Sequence, residues 1–266
     1  MMKDMAYLPR KRTILLTILV LLIGVASAVV IRRKTEAPSI DQTHNSSQPN
    51  TTNQSATTKT EPTLQEQIDT LKAKHSVDDP VSIWVVVNKT RPFNPKEYAP
   101  ADLTSVGGGQ QLRSEAAQSF KAMQDAAKAQ GLTIGALSGY RSYATQVSVY
   151  ANEVKAHGQA VADTQSARPG TSEHQSGWAL DVGGGGCGIE DCFGTTAEGK
   201  WVAANAYQYG FIIRYTADKQ AVTGYRAEPW HLRYIGTELS VFMHEHSYTT
   251  LEEFFGLPAA PQYPAN

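Results

Sequence analysis

Ser172-Glu-His174-Gln-Ser-Gly177-Trp-Ala179-Leu-Asp181 places an imidazole at a loop end and a carboxylate seven residues on, in a stretch that alternates like a strand. Fifty residues past Asp181, Glu228-Pro-Trp230-His231 supplies a second carboxylate and a second imidazole. Two histidines and one aspartate can form a three-ligand zinc site with the fourth position left to water, the arrangement that catalytic zinc requires. The remaining Glu228 then has a role as general base and acid, taking a proton from an attacking water and returning one to the leaving amine. Residues three apart in a regular strand face opposite sides, so Glu228 must sit on a bend before the strand that carries His231, and Pro229 makes such a bend. Spacing alone permits this site without compelling it, since unlinked histidines are also at home as satisfied core or surface groups.

Other patterns lead nowhere. Gly183-Gly-Gly185-Gly-Cys-Gly188 has the glycine spacing of a dinucleotide site but no following helix, and reads as a flexible loop. Gly194-x4-Gly199-Lys200 imitates a phosphate loop with Trp201 where the magnesium-binding hydroxyl is needed. Serine-nucleophile motifs (S-x-x-K, G-x-S-x-G) and the H-E-x-x-H zinc motif are absent.

The elements that must position these residues read as an α+β domain with an antiparallel sheet and flanking helices. A short amphipathic helix is expected over 63–75 and a strand over Val81–Val87. Leu112, Ala116, Phe120, Met123 and Ala127 mark one buried face of a helix that stops at Gly131. A strand near Leu132–Leu137 follows, then a helix capped by Ser142, with Val147, Tyr150 and Val154 on its buried stripe and its end at Gly158. Trp178–Val182, Phe211–Ile213 and His231–Ile235 read as strands, 196–208 as a helix and 237–256 as two short helices. Residues 89–110, with three prolines before Gly107-Gly-Gly109, are expected to contribute to a cleft wall.

The S-x-H-x-x-G-x-A-x-D and E-P-W-H motifs together resemble the signature of the zinc D-alanyl-D-alanine carboxypeptidases of the VanY type, a group related to the D-Ala-D-Ala dipeptidases and the hedgehog signalling domain. The resemblance extends to Ser138-Gly-Tyr-Arg141-Ser142-x-x-x-Gln146, to Val86-Val87-Asn88-Lys89 and to Leu232-Arg-Tyr-Ile-Gly236, covering roughly residues 65–256. It implies that His174, Asp181 and His231 hold Zn²⁺, that Glu228 is the general base and acid, and that Arg141 faces the substrate. A guanidinium there can dock a terminal carboxylate or stabilise an oxyanion. Ser172 and Gln146 are candidate hydrogen-bonding partners for the same end of the substrate. The implied activity is removal of the C-terminal D-alanine from peptidoglycan stem peptides. Alternatives are an L,D-carboxypeptidase acting on tetrapeptide stems, a dipeptidase on free D-Ala-D-Ala, and a non-catalytic binding or signalling module. Against the last, a purely structural zinc site is usually closed by four protein ligands.

Charge and composition fit an exported protein. The chain has 266 residues, 24 basic against 25 acidic. Residues 1–34 hold seven of the basic side chains and one acid, so the remainder is net −7 and is unsuited to binding a nucleic-acid backbone. Thr13–Ile31 is uncharged and, as a helix at ~1.5 Å per residue, spans a bilayer core. It reads as a membrane anchor preceded by a basic cytoplasmic tail, 1–12, or as a signal peptide cut near Ala26-Ser27-Ala28. Residues 32–62 read as a disordered Ser/Thr/Asn/Gln-rich linker, and 63–266 as the catalytic domain, extracytoplasmic and monomeric. In that compartment Cys187 and Cys192 are expected to form a small disulfide beside Asp181.

Overall fold

The computed structural model describes residues 61–265. The expected tail, membrane segment and most of the linker lie outside those residues, and among the described ones no helix is long and apolar enough to cross a membrane. The elements run α1 (Leu64–Lys72), β1 (Leu103–Gly107), β2 (Gln110–Arg113), α2 (Ser114–Ala129), β3 (Gly135–Ser138), α3 (Tyr143–His157) and α4 (Gln159–Gln165). They continue with β4 (Ala179–Gly183), α5 (Ala197–Asn205), β5 (Phe211–Ile213), α6 (Gln220–Thr223), β6 (His231–Tyr234), α7 (Thr237–Glu245) and α8 (Leu251–Phe255). Strands β3-β4-β6-β5 form an antiparallel sheet, and β1-β2 a separate hairpin. This is a mixed α and β architecture, as the sequence predicts.

Local chemistry sets several boundaries. Thr63 and Glu66 form a reciprocal capping box at the start of α1. The Ser142 hydroxyl accepts from the Thr145 N–H at the start of α3, which ends at Gly158 with φ 77°. After β4 the chain reverses at Gly184–Cys187, which exchange both backbone hydrogen bonds at 3.0 and 3.1 Å. The two central residues, Gly185 and Gly186, have φ of 63° and 81°, which suits glycine. The glycine run is therefore a tight turn, and the Cys187–Cys192 disulfide closes the loop just beyond it.

Two cores hold the domain. The first packs Phe120, Met123 and Ala127 of α2 with Leu180 and Val182 of β4, Leu232 of β6 and Val202 of α5. Burying each such aliphatic side chain contributes roughly 1.5–3 kcal/mol. The second joins Ile68 and Leu71 of α1 to Leu239 and Met243 of α7 and Leu251 and Phe254 of α8.

Three expectations are corrected. Val81–Val87 forms no strand. Its side chains alternate as a strand's would, Val85 and Val87 into the first core and Trp84 and Val86 into the second. Its carbonyls, however, are taken by guanidinium groups: Arg233 Nη2 donates to Ile83 O at 2.8 Å and Val85 O at 3.0 Å, and Arg91 Nε to Val86 O at 3.1 Å. On α3 the fully buried side chain is Gln146, while Val147 is 44% exposed, because the helix turns a partly polar face towards the cleft. Residues 89–110 supply β1 and its turn into β2 and none of the cleft lining.

Beneath the sheet lies a buried charge network. Arg214 donates through Nε to Glu173 Oε1 at 2.8 Å and through both terminal nitrogens to Glu252 at 2.8 and 2.9 Å. Arg233 Nη1 reaches Glu173 Oε1 at 3.2 Å, and Asn88 Nδ2 donates to Glu252 Oε1 at 2.9 Å. Burial alone would raise the Glu252 carboxyl, but Arg214 outweighs it and holds the group below its ordinary 4.5. A depressed carboxylate contributes stability above its unfolded pKa and loses it as pH falls through the lower folded value. The thermal unfolding midpoint is therefore expected to drop as the pH is taken from 4.5 to about 3. Calorimetry across that range checks this, and an unchanged midpoint would contradict it.

Candidate active site

Strand register brings the distant motifs together. In the β4-β6 ladder Asp181 lies directly opposite His231, so both side chains leave the same face. His174 arrives from a short 3₁₀ turn, Glu173–Ser176, which ends at Gly177 in the left-handed region. His174 Nε2 lies 3.3 Å from Asp181 Oδ2, and His231 Nδ1 lies 3.2 Å from Asp181 Oδ1. Glu228 sits on the expected bend: its N–H donates to Tyr215 O, and its carbonyl accepts from His231 N–H at 3.1 Å. That turn carries the Glu228 carboxylate to 3.5 Å from His231 Nδ1.

These residues fit zinc. One donor atom each from His174, Asp181 and His231 lies within 4.8 Å of the other two. Tetrahedral coordination at ~2.0–2.2 Å separates ligand atoms by about 3.4 Å, close to the spacings found here. Asp181 Oδ1 is buried without a hydrogen-bond partner, and a cation would satisfy it. The second nitrogens of the rings point away from that centre: His174 Nδ1 pairs with Gly139 O at 2.8 Å, and His231 Nε2 faces Glu173 Oε2 at 3.4 Å without a formed hydrogen bond. Such outer partners fix the tautomer and the ring orientation of metal-binding histidines. Glu173 is the functional residue that sequence reasoning missed, although it stands beside His174 in the motif.

The electrostatics favour this chemistry. Burial would raise the Asp181 carboxyl, but the adjacent imidazoles of His174 and His231 hold it well below the carboxylate range. Burial lowers the His174 imidazole, keeping it neutral as a metal ligand must be. Burial opposes charge on His231 too, yet Asp181 and Glu173 raise it to about 9, so a metal binding there would displace a proton from the ring. Burial is also what pushes Glu228 up, to about 8, against the pull of His231.

The four residues lie at the base of a cleft of about 370 Å³ that Arg141, Ser172, Tyr215 and Trp230 also line. Arg141 is held by Gln146 Oε1 at 2.7 Å and Ser138 Oγ at 2.8 Å, with Nη2 3.9 Å from Asp181 Oδ2. Ser172 Oγ has no hydrogen-bond partner among the described residues and stays available in the cleft. Gln146 departs from expectation: it lies outside the cleft lining, its Oε1 accepting from Arg141 and its Nε2 donating to Ala167 O at 2.7 Å. It orients the guanidinium in place of the expected contact with substrate. Trp178 and Trp230 are both buried, as packing residues would be.

Residues 109–237 match the VanY family, described as D-alanyl-D-alanine carboxypeptidase. A D-alanyl-D-alanine carboxypeptidase of Enterococcus faecalis is 32% identical over 191 residues, spanning 68% of this chain and 69% of the relative. The solved structure of the LD-carboxypeptidase LdcB superposes with a TM-score of 0.62 at 42% identity, covering 66% of this chain and 87% of that one. A zinc(II)-bound variant of the vancomycin-resistance D,D-pentapeptidase VanY superposes at 0.56 with 32% identity, covering 64% and 97%.

Proposed function

The chain belongs to the VanY family of D-alanyl-D-alanine carboxypeptidases, and we propose that it works outside the cytoplasm, removing the C-terminal D-alanine from peptidoglycan stem peptides. It is a zinc metallocarboxypeptidase. The observation that carries the reading is the convergence of His174, Asp181 and His231 around one point, with the Glu228 carboxylate beside them at the base of a cleft.

His174, Asp181 and His231 would hold the metal. Bound there, zinc supplies Lewis acidity that polarises the scissile carbonyl and makes water acidic enough to attack near neutral pH. Glu228 takes the proton as the carbon–oxygen bond forms, and delivers it to the nitrogen of D-alanine as the carbon–nitrogen bond breaks. Burial lifts its pKa above that of an ordinary carboxylate, which helps it keep the proton between the two steps, while a bound cation's charge would draw it back down so that it can first act as a base. Arg141, oriented by Gln146 and Ser138, presents its remaining N–H donors to the terminal carboxylate, with Ser172 as a second donor. Arg141→Lys keeps the charge but loses the planar fork. It is expected to raise KM about tenfold for the loss of one charge-assisted hydrogen bond, with kcat less affected. Steady-state kinetics checks this, and an unchanged KM would remove Arg141 from the substrate site.

Two stem lengths fit this chemistry. A D,D-carboxypeptidase would act on the pentapeptide, while the higher identity to LdcB, 42% against 32% for VanY, favours L,D cleavage of the tetrapeptide. The uncharged run Thr13–Ile31 and the polar linker that follows it support a membrane-tethered domain that reaches the wall. The test is D-alanine release by the full-length chain from pentapeptide and tetrapeptide stems, each with zinc and with chelator. Chelator-sensitive release from one stem establishes the activity and its specificity. Absence of release by folded, zinc-loaded protein would favour a binding module.

A further inference from the structure

The last described residues run without regular structure, and among them the phenol of Tyr263 touches two segments that line the cleft. Ala260 is fully buried, its N–H donating to Val222 O at 2.7 Å, and Lys89 Nζ donates to Gly224 O at 2.6 Å and Pro261 O at 3.2 Å. Beyond this anchor, the Tyr263 hydroxyl lies 2.7 Å from Arg168 N, 2.9 Å from Thr171 Oγ1 and 3.2 Å from the Tyr225 hydroxyl.

Counting hydrogens fixes how these bonds run. Thr171 gives its hydroxyl hydrogen to Arg168 O at 2.7 Å, so its oxygen accepts from Tyr263. The Tyr225 hydroxyl and the Arg168 N–H then both donate to Tyr263, and the phenol's one donor and two acceptor positions are all filled. The Arg168 guanidinium also lies over the Tyr263 ring, 4.1 Å from its centroid, and is fastened to Asp163 of α4 by two hydrogen bonds.

The partners lead to two segments of the cleft. Arg168 and Thr171 belong to the segment that places Ser166, Ala167 and Ser172 in the cleft and continues to His174. Tyr225 and Arg226 also line the cleft, Arg226 N–H donates to Thr164 O at 3.0 Å, and the Tyr225 ring packs 4.8 Å from Tyr215, itself 4.8 Å from the His231 ring. Neither histidine touches the phenol: His174 pairs with Gly139 O, and His231 faces Glu173 and Asp181.

We propose that Tyr263 is a positioning residue for substrate: together with the Arg226 N–H bond to Thr164 O, its oxygen ties the Ala167–Ser172 segment to Tyr225 and so sets the shape of the cleft that grips the peptide. This rests on the carboxypeptidase reading of the cleft. The test is Tyr263→Phe in the full-length, zinc-loaded chain, with kinetics of D-alanine release and hydrogen exchange of the amides in 166–174 read together. KM is expected to rise about tenfold, since only part of the loss of three hydrogen bonds is felt in the cleft, with kcat and zinc content unchanged and exchange at Arg168 accelerated. Thr171→Val should give a similar rise, and the double variant little more, since both remove the same contact. A KM within about twofold of the parent's, or a lower unfolding temperature with KM unchanged, overturns the proposal. If the parent releases no D-alanine, the carboxypeptidase reading fails. The exchange data then decide the clasp alone, and slow exchange at Arg168 in the phenylalanine variant overturns it.

Discussion

Glu228→Gln is expected to lower kcat for D-alanine release by about 10²–10⁴-fold, the range for loss of a positioned general acid–base. Glutamine keeps the size and a carbonyl oxygen but can neither take a proton from water nor hand one to an amine. Zinc is assigned to His174, Asp181 and His231 and not to Glu228, so the variant is expected to keep one zinc per chain. Removing a buried carboxyl whose pKa is raised to about 8 also removes an unfavourable burial, and the variant should unfold no earlier than the parent. Metal analysis with stopped-time assays reads both effects. An active, zinc-replete variant would take the proton-transfer role away from Glu228.

Arg214→Met is expected to be the most damaging change away from the metal. Arg214 is fully buried and neutralises Glu173 and Glu252 through three hydrogen bonds. Its removal leaves two carboxylates in the interior with only Arg233 nearby. Breaking a buried ion network in this way costs about 3–5 kcal/mol, on the order of a 10 °C fall in the unfolding temperature for a domain of this size. Zinc affinity should fall as well, because Glu173 orients His231. Combining Arg214→Met with Glu252→Leu restores charge balance, leaving the Glu173–Arg233 pair. The double variant should therefore be more stable than the single one in denaturant titrations. If the single variant unfolds like the parent, the network contributes little.

The site was largely legible because its motifs keep the reacting residues close in sequence. His174 and Asp181 share one motif, Glu228 and His231 the other, and Pro229 announces the bend that lets a residue three positions before His231 share its site. What spacing could not convey was the pairing of Asp181 with His231, because strand register across fifty residues is set by tertiary packing. Glu173 escaped notice because a glutamate in a loop reads as solvated. A signal was present: Arg214 and Arg233 each interrupt an apolar run, and buried cations require buried partners. The β1-β2 hairpin was missed because its strands are mostly exposed or half-buried and show no alternation, leaving only Gly107–Gly109 as a turn signal.

The arginine-capped segment has a consequence for solubility. Ser82-Ile-Trp-Val-Val-Val87 is uncharged, free of proline and rich in β-branched and aromatic residues, the composition of a cross-β former. In the folded domain it cannot recruit a second chain, since its side chains are divided between two cores and Arg233 and Arg91 occupy the carbonyls a neighbouring strand would use. The guanidinium groups act as gatekeepers against self-association, and they do so only while the domain is folded. Aggregation of this protein should therefore begin at this hexapeptide and track the unfolded population, so that whatever loosens Arg233 from it also shortens the molecule's shelf life.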